Sequence, residues 1–237
     1  MNYSNLNLTD VNHPIVQHVV RKLTGTSKSN TEKVHNFFMF IRDEIKFAFP
    51  LEGDFVSAAD IIKTKKGQCN NKGTLFYTLC KAAGIPVRMH FSAIDKVIQR
   101  GLFKGLFYEM LPQQLSHSWI EVQLDGKWIA IDSYINDFDY YVAGKKKLQD
   151  NGWKTGFSIS CEKEESSADL NLETEKFVQM DAVTEDHGLW TSPELYYQSD
   201  CYHNRPSILK LAIYKILIRR VNRRIKKIRQ SMLKSIA

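Results

Sequence analysis

Three residues could together carry out thiol chemistry: Cys69, His117 and Asp132. Cys69 follows Lys65-Lys66-Gly67-Gln68 and opens a helix-periodic stretch. A helix start carries partial positive charge, which favours a thiolate, and the two lysines push the same way. Polar neighbours Gln68, Asn70 and Asn71 set Cys69 apart from Cys80, which shares a stripe with Phe76 and Ala83 and reads as a small core hydrophobe. The Cys69 N–H would lack an intrahelical partner and could donate to an oxyanion, with Gln68 as a second donor.

His117 and Asp132 are related through Asp125-Gly126, a two-residue hairpin signal. That turn pairs Leu124 with Lys127, Gln123 with Trp128, Val122 with Ile129, Glu121 with Ala130, Ile120 with Ile131, and Trp119 with Asp132. Ile120, Val122, Leu124, Ile129 and Ile131 then share the core face. His117, Trp119, Glu121, Ala130 and Asp132 share the other. His117 and Asp132 become diagonal neighbours with Cβ atoms within roughly 7–8 Å, close enough for an imidazole N–H to meet a carboxylate. A slip of one residue would separate them. In this arrangement Asp132 would fix the imidazole tautomer and His117 would activate the thiol. Taken singly, His117 reads as a satisfied strand histidine and Asp132 as a turn or cap residue; the joint placement gives them a role. Trp119 is a candidate substrate contact, whereas Trp128 reads as packing and His90 as a plain strand residue.

The elements that must position these residues are legible in outline. A short helix is expected near Pro14–Leu23, and a helix from Glu32 to Ile45 capped by Thr31. Ser57 caps a helix over 58–63, and a helix from Gln68 or Cys69 to Ala83 stops at Gly84. A strand runs from Val87 to Ala93 and the hairpin strands over 116–124 and 127–134. Residues 140–150 are expected to be helical, 161–187 to be loop-rich, and a long helix to open at Pro206. The implied divisions are 1–30, an N-terminal segment; 31–140, a catalytic core; 141–204, a loop-rich extension; and 205–237, a basic amphipathic helix.

Three blocks carry a resemblance: G-Q-C-N-N-K-G-T-L-F-Y-T-L-C-K-A-A-G-I-P-V-R, H-S-W-I-E-V and K-W-I-A-I-D. In this order they resemble the core of the transglutaminase-like superfamily, over about residues 32–136. The resemblance implies an α+β, papain-like fold with an antiparallel sheet packed on the Cys-bearing helix. It implies a triad of Cys69, His117 and Asp132 and an acyl-thioester on Cys69. Calcium activation is not implied by it, and no cofactor or metal is expected. The superfamily includes cross-linking transglutaminases, proteases, peptide N-glycanases and amide-forming enzymes, and the core motif does not choose among them.

The chain has 237 residues, 43% hydrophobic and 25% charged, the composition of a globular protein. Its net charge of +7 conceals an asymmetry: residues 205–237 hold 11 Lys/Arg and no Asp/Glu, leaving 22 basic against 26 acidic elsewhere. Attraction to an anionic partner therefore belongs to the tail. Leu211, Tyr214, Ile218, Val221, Ile225, Ile228 and Met232 form a heptad seam there. It could pack on the acidic body, lie on an anionic membrane surface, or meet nucleic acid, the last less favoured. Cysteines 69, 80, 161 and 201 show no C-x-x-C pair, Cys201-x-His203 lacks two further ligands nearby, and no signal peptide or membrane span is evident. A cytoplasmic chain, peripheral to the membrane at most, is the expectation. The favoured reaction is hydrolysis of a peptide or small amide or thioester. The alternatives are acyl transfer to an amine and a catalytically silent binding module using the cleft and basic tail.

Overall fold

The computed structural model describes residues 6–27, 29–162, 166–174, 177–205 and 207–233. Helices α1 (Pro14–Thr24), α2 (Asn30–Met39) and α3 (Ala58–Thr64) pack on one side of α4 (Cys69–Ala82). On its other side lies an antiparallel sheet built from β3 (Val87–Asp95), β4 (Gln114–Leu124), β5 (Lys127–Ile131) and β8 (Val183–Trp190), in the order β5-β4-β3-β8. Two short strands, β1 (Lys46–Phe47) and β2 (Lys66–Gly67), pair in parallel just before α4. Short helix α5 (Leu106–Glu109) lies in the β3–β4 connection. Helix α6 (Phe138–Asp150), the hairpin of β6 (Thr155–Gly156) and β7 (Ile159–Ser160), and helix α7 (Pro193–Gln198) complete the body. Helix α8 (Ile208–Leu233) packs along α6.

Enclosure on both sides explains why α4 is buried all round from Asn70 to Cys80, and not only along the apolar stripe. Its first turn is held by a capping box: the Gln68 side chain accepts from the Asn70 N–H at 3.0 Å, and the Asn71 side chain accepts from the Gln68 N–H at 3.3 Å.

Several elements depart from expectation. Ser29, not Thr31, caps α2, accepting from the Glu32 N–H. After Met39 that helix widens to a π-turn over Phe40–Glu44. The turn carries Arg42 inward, where it pairs with Asp43 at 2.8 Å and Asp169 at 2.9 Å. The stretch 161–187 is not all loop, because β8 begins at Val183. Thr184, Glu185 and Asp186 are exposed, so this edge strand has none of the apolar alternation that marks a half-buried one. Pro206 and the Met232 side chain lie outside the described residues, as do 163–165 and 175–176.

The tail packs its seam on the body. Ile218, Val221, Ile225 and Ile228 are buried and Leu211 and Tyr214 half-buried. Asn222 accepts from the Phe49 N–H at 2.9 Å and donates to the Phe49 carbonyl at 2.8 Å. The chief tie is Asp137, which is fully buried. It caps α6, accepts from the Phe47 N–H at 2.9 Å, and takes two bonds from Arg229, Nε at 2.7 Å and Nη2 at 2.6 Å. Burial alone would raise this carboxyl's pKa, but the bonds and charge of Arg229, with Lys72 nearby, hold it below the usual value.

Asp137→Asn leaves Arg229 without its partner and is expected to cost about 3–5 kcal/mol in urea unfolding at neutral pH. Because the folded pKa is depressed, the carboxylate's contribution is complete above about pH 4 and disappears as pH falls through the folded value. The gap between wild type and variant should therefore close in acid; a gap independent of pH would show that the charge is not what stabilises.

Candidate active site

The hairpin has the register read from Asp125-Gly126, from Leu124↔Lys127 to Ile120↔Ile131. The ladder stops there, so Trp119 and Asp132 do not pair. β4 continues to Gln114 along β3, and from Gln114 to Trp119 no strand among the described residues lies beside its other edge. The start of α4 meets this open edge. Asn70 Nδ2 donates to the Ser116 carbonyl at 3.4 Å and to its Oγ at 3.2 Å. The Cys69 thiol lies against the Ser118 N–H. Further along, the carboxamide of Asn204 accepts from the Ser116 N–H at 2.5 Å and donates to the Gln114 carbonyl at 3.2 Å.

Cys69 opens on a cleft of about 840 Å³ that also exposes Gln68, Asp54, Gln179 and Asn204. Its S–H donates to Gln68 Oε1 at 2.8 Å. Gln68 Nε2 in turn donates to Asp54 Oδ1 at 2.5 Å, and the Tyr202 hydroxyl donates to Asp54 Oδ2 at 2.9 Å. The Gln68 amide is thus committed at both ends, to the helix cap and to Asp54, rather than offered to an oxyanion. Burial pushes the Cys69 thiol pKa up, the negative charge of Asp54 pushes it further, and the Asn70 and Ser118 amides offset this in part. Neither expected lysine helps: Lys65 turns to Glu44 at 3.3 Å and Lys66 is exposed.

His117 is fully buried, and among the described residues neither ring nitrogen has a hydrogen-bond partner. Burial lowers its pKa to about 3. Asp132 is also fully buried. Having left the β5 ladder, its carboxylate accepts from the Val178 N–H at 2.6 Å and the Gln179 N–H at 2.8 Å, not from His117. Burial raises the Asp132 pKa to about 7 against the lowering effect of these amides. Tyr134 joins the group. Its hydroxyl, buried and without a hydrogen-bond partner among the described residues, is subject to the charges of both Asp132 and Cys69. Gly73, one turn beyond Cys69, permits this approach: a Cβ there would lie 3.1 Å from the Tyr134 hydroxyl and 3.2 Å from Ser118 Oγ.

Trp119 does not line the cleft. It is buried and stacks on His90 with ring centroids 4.1 Å apart. His90 bridges Glu121 at 2.9 Å and Asp186 at 2.6 Å. Among the described residues no cluster of three or more His, Cys, Asp or Glu is placed to hold a metal ion.

Sequence reasoning missed Asp54, Tyr134, Gln179 and Asn204. Asp54 and Asn204 lie in irregular segments, and no spacing rule links either of them to Cys69. Tyr134 offered one usable signal, its position two residues beyond Asp132.

Comparison with known proteins agrees with this core. Residues 17–133 match the family model described as the transglutaminase-like superfamily. The chain is 25% identical to the kyphoscoliosis peptidase of Mus musculus over 122 residues, covering 48% of this chain and 17% of that protein. It therefore spans about a sixth of the curated relative's length. A candidate cysteine protease of Cytophaga hutchinsonii is 22% identical, covering 49% of this chain and 36% of that one, with a TM-score of 0.39. A candidate protease of Parabacteroides distasonis is 14% identical, covering 52% and 25%, with a TM-score of 0.36. Residues 17–133 belong to the transglutaminase-like superfamily.

If Asp54 holds the resting thiol protonated, Asp54→Asn should raise the rate of Cys69 alkylation by iodoacetamide at pH 8 about three- to tenfold, because thiolate content changes tenfold per pKa unit. Cys201 in the same samples serves as the internal reference. An unchanged Cys69 rate would remove Asp54 from the control of this thiol.

Proposed function

We propose that the chain is a thiol peptidase that hydrolyses peptide amides through an acyl-thioester on Cys69. The observation that carries this reading is a thiol at the start of a buried central helix, open to a large cleft, in a core that also buries an imidazole with two unpartnered nitrogens. A buried polar group left without a partner calls for an explanation, and a catalytic role is one. A binding module needs neither group.

In this reading the resting pair is neutral. The Cys69 proton passes to His117 as Sγ attacks the substrate carbonyl carbon. The developing oxyanion meets the Cys69 N–H, which as the first helical amide has no intrahelical partner. His117 then gives the proton to the departing amine as the C–N bond breaks. Water, deprotonated by His117, attacks the thioester and releases the acid and the thiol. Asp132 accepts from the Val178 and Gln179 N–H groups rather than from His117, so its part in this reading is electrostatic: the amides favour its ionised form against the cost of burial, and its negative charge steadies the imidazolium of the transition state.

The open edge of β4 suits an extended peptide. Donating to the Gln114 carbonyl while accepting from the Ser116 N–H are the two bonds that a residue of a parallel strand would make on either side of Leu115. The Asn204 carboxamide stands in for such a peptide and would be displaced by it. A substrate in that register runs toward Cys69, with its upstream side chains facing Ile94, Ile98, Phe103 and Leu115 in the cleft.

The test is digestion of unfolded casein by the full chain, read by mass spectrometry with and without a primary amine acceptor. Wild type should release peptides, Cys69→Ala none, and His117→Asn should lower kcat by about 10²–10⁴. Acyl-amine adducts in place of free carboxyl ends would assign transfer rather than hydrolysis. Cleavage unaffected by Cys69→Ala, or none by any form, would sink the reading.

A separate outcome is expected of the edge. Asn204→Ala should raise kcat/KM for a peptide substrate severalfold, chiefly through KM. A fall with unchanged thermal stability would mean that Asn204 helps to bind substrate rather than block it.

A further inference from the structure

The buried face of α8 accounts for its seam but not for its outer face. Leu209, Ile213 and Ile216, one helical stripe, are 71%, 38% and 64% exposed. Eleven residues make about three turns, so the same stripe continues as Arg220, Arg224 and Lys227. The outer face is therefore apolar in its first half and cationic in its second. Ile218, Val221, Ile225 and Ile228 already supply the packing on α6 and the body, so the exposed apolar residues are surplus to that contact.

The cationic half borders a second cavity, of about 370 Å³, between α6, α8 and the Gly101–Lys104 turn. Lys104, Lys147, Arg224 and Lys227 converge on it, Trp153 forms one wall, and among the described residues no Asp or Glu lines it. The Arg100 guanidinium lies 4.1 Å from the Trp153 ring centroid, and Arg224 is anchored on the Leu102 carbonyl, so part of the wall is held in place. Four cations without a counter-charge repel one another unless an anion joins them. This cavity is lined by none of the residues around Cys69.

We propose that the outer face of α8 docks on an anionic membrane, with Leu209, Ile213 and Ile216 entering the acyl boundary and the basic cavity taking a phosphorylated lipid headgroup. An apolar stripe continuous with a cationic one is the pattern of an interfacial helix, and each cation held near an anionic surface adds to the attraction. A nucleic acid would satisfy the cations but leave the apolar stripe without a use. No described helix is long and apolar enough to cross a membrane, so the contact is peripheral.

The test is sedimentation of the full chain with vesicles of phosphatidylcholine alone, with phosphatidylserine, and with phosphatidylinositol bisphosphate, at low and physiological salt. The bisphosphate vesicles should bind it best, phosphatidylcholine should not, and salt should weaken the binding. Titration with soluble inositol trisphosphate, read by Trp153 fluorescence, separates headgroup recognition from membrane insertion. Lys147→Glu/Lys227→Glu should weaken both vesicle and inositol trisphosphate binding by about tenfold or more. Leu209→Ser/Ile213→Ser/Ile216→Ser should lose vesicles by a similar factor yet keep inositol trisphosphate. The proposal fails if wild type ignores anionic vesicles, if either variant binds vesicles as well as wild type, or if DNA binds where vesicles do not. The wild-type titrations decide the matter even where a variant is unstable, and none of these readouts depends on peptidase activity.

Discussion

The difference in length between β4 and β5 is the constraint on which the site depends. A sheet edge presents backbone donors and acceptors that something must satisfy. Here the edge opens inside the fold, beyond Ile120↔Ile131, and three side chains from two parts of the chain answer it. Asn70 takes the Ser116 carbonyl, Cys69 sets its thiol against the Ser118 amide, and Asn204 takes Gln114 and Ser116. The end of the ladder also releases Asp132 from the pleat, so that its carboxylate reaches the amides of Val178 and Gln179. One missing stretch of pairing thus gathers the first turn of α4, the stretch after β7 and the segment before α8 around one thiol.

Burial decides the electrostatics of what is gathered. A helix start by itself would favour a thiolate, yet desolvation and Asp54 act more strongly in the opposite direction. The imidazole is likewise held neutral, its pKa lowered to about 3. Lys72, buried in the same helix and lowered to about 7 by burial, follows the same rule with the opposite charge. Asp137 reverses it, because two Arg229 bonds and a backbone amide outweigh the desolvation, and buried Arg42 does the same through Asp43 and Asp169. A charged partner decides ionisation in this interior: the neutral donors at Asp132 and Asp54 leave both carboxyls raised, whereas Arg229 holds Asp137 low.

The C-terminal third joins these two themes. Tyr202 and Asn204 reach the Cys69 surroundings, and a few residues later α8 is fastened by Asn222 and Arg229 to the strand that precedes α3 and to the cap of α6. The outer face of the same helix is free of these duties, which is why a separate contact there can be considered without disturbing the core.

Local rules were enough for much of the core. Asp125-Gly126 determined the hairpin register, Ser57 and Gly84 marked a helix start and a helix stop, and the spacing of Ile218, Val221, Ile225 and Ile228 identified the packed face of α8. These follow from turn geometry, capping and periodicity, which act over a few residues. What lay more than one ladder away was decided only by the tertiary structure. Where β5 stops, which carboxylate faces Cys69, and whether Gln68 is free or committed depend on chain segments far apart in sequence, such as Asp54 with Tyr202. The edge strand β8 could not be read because exposed charged residues remove its alternation. Types and spacing therefore determined which residues could do chemistry, and long-range packing decided the charge and partners with which they await it.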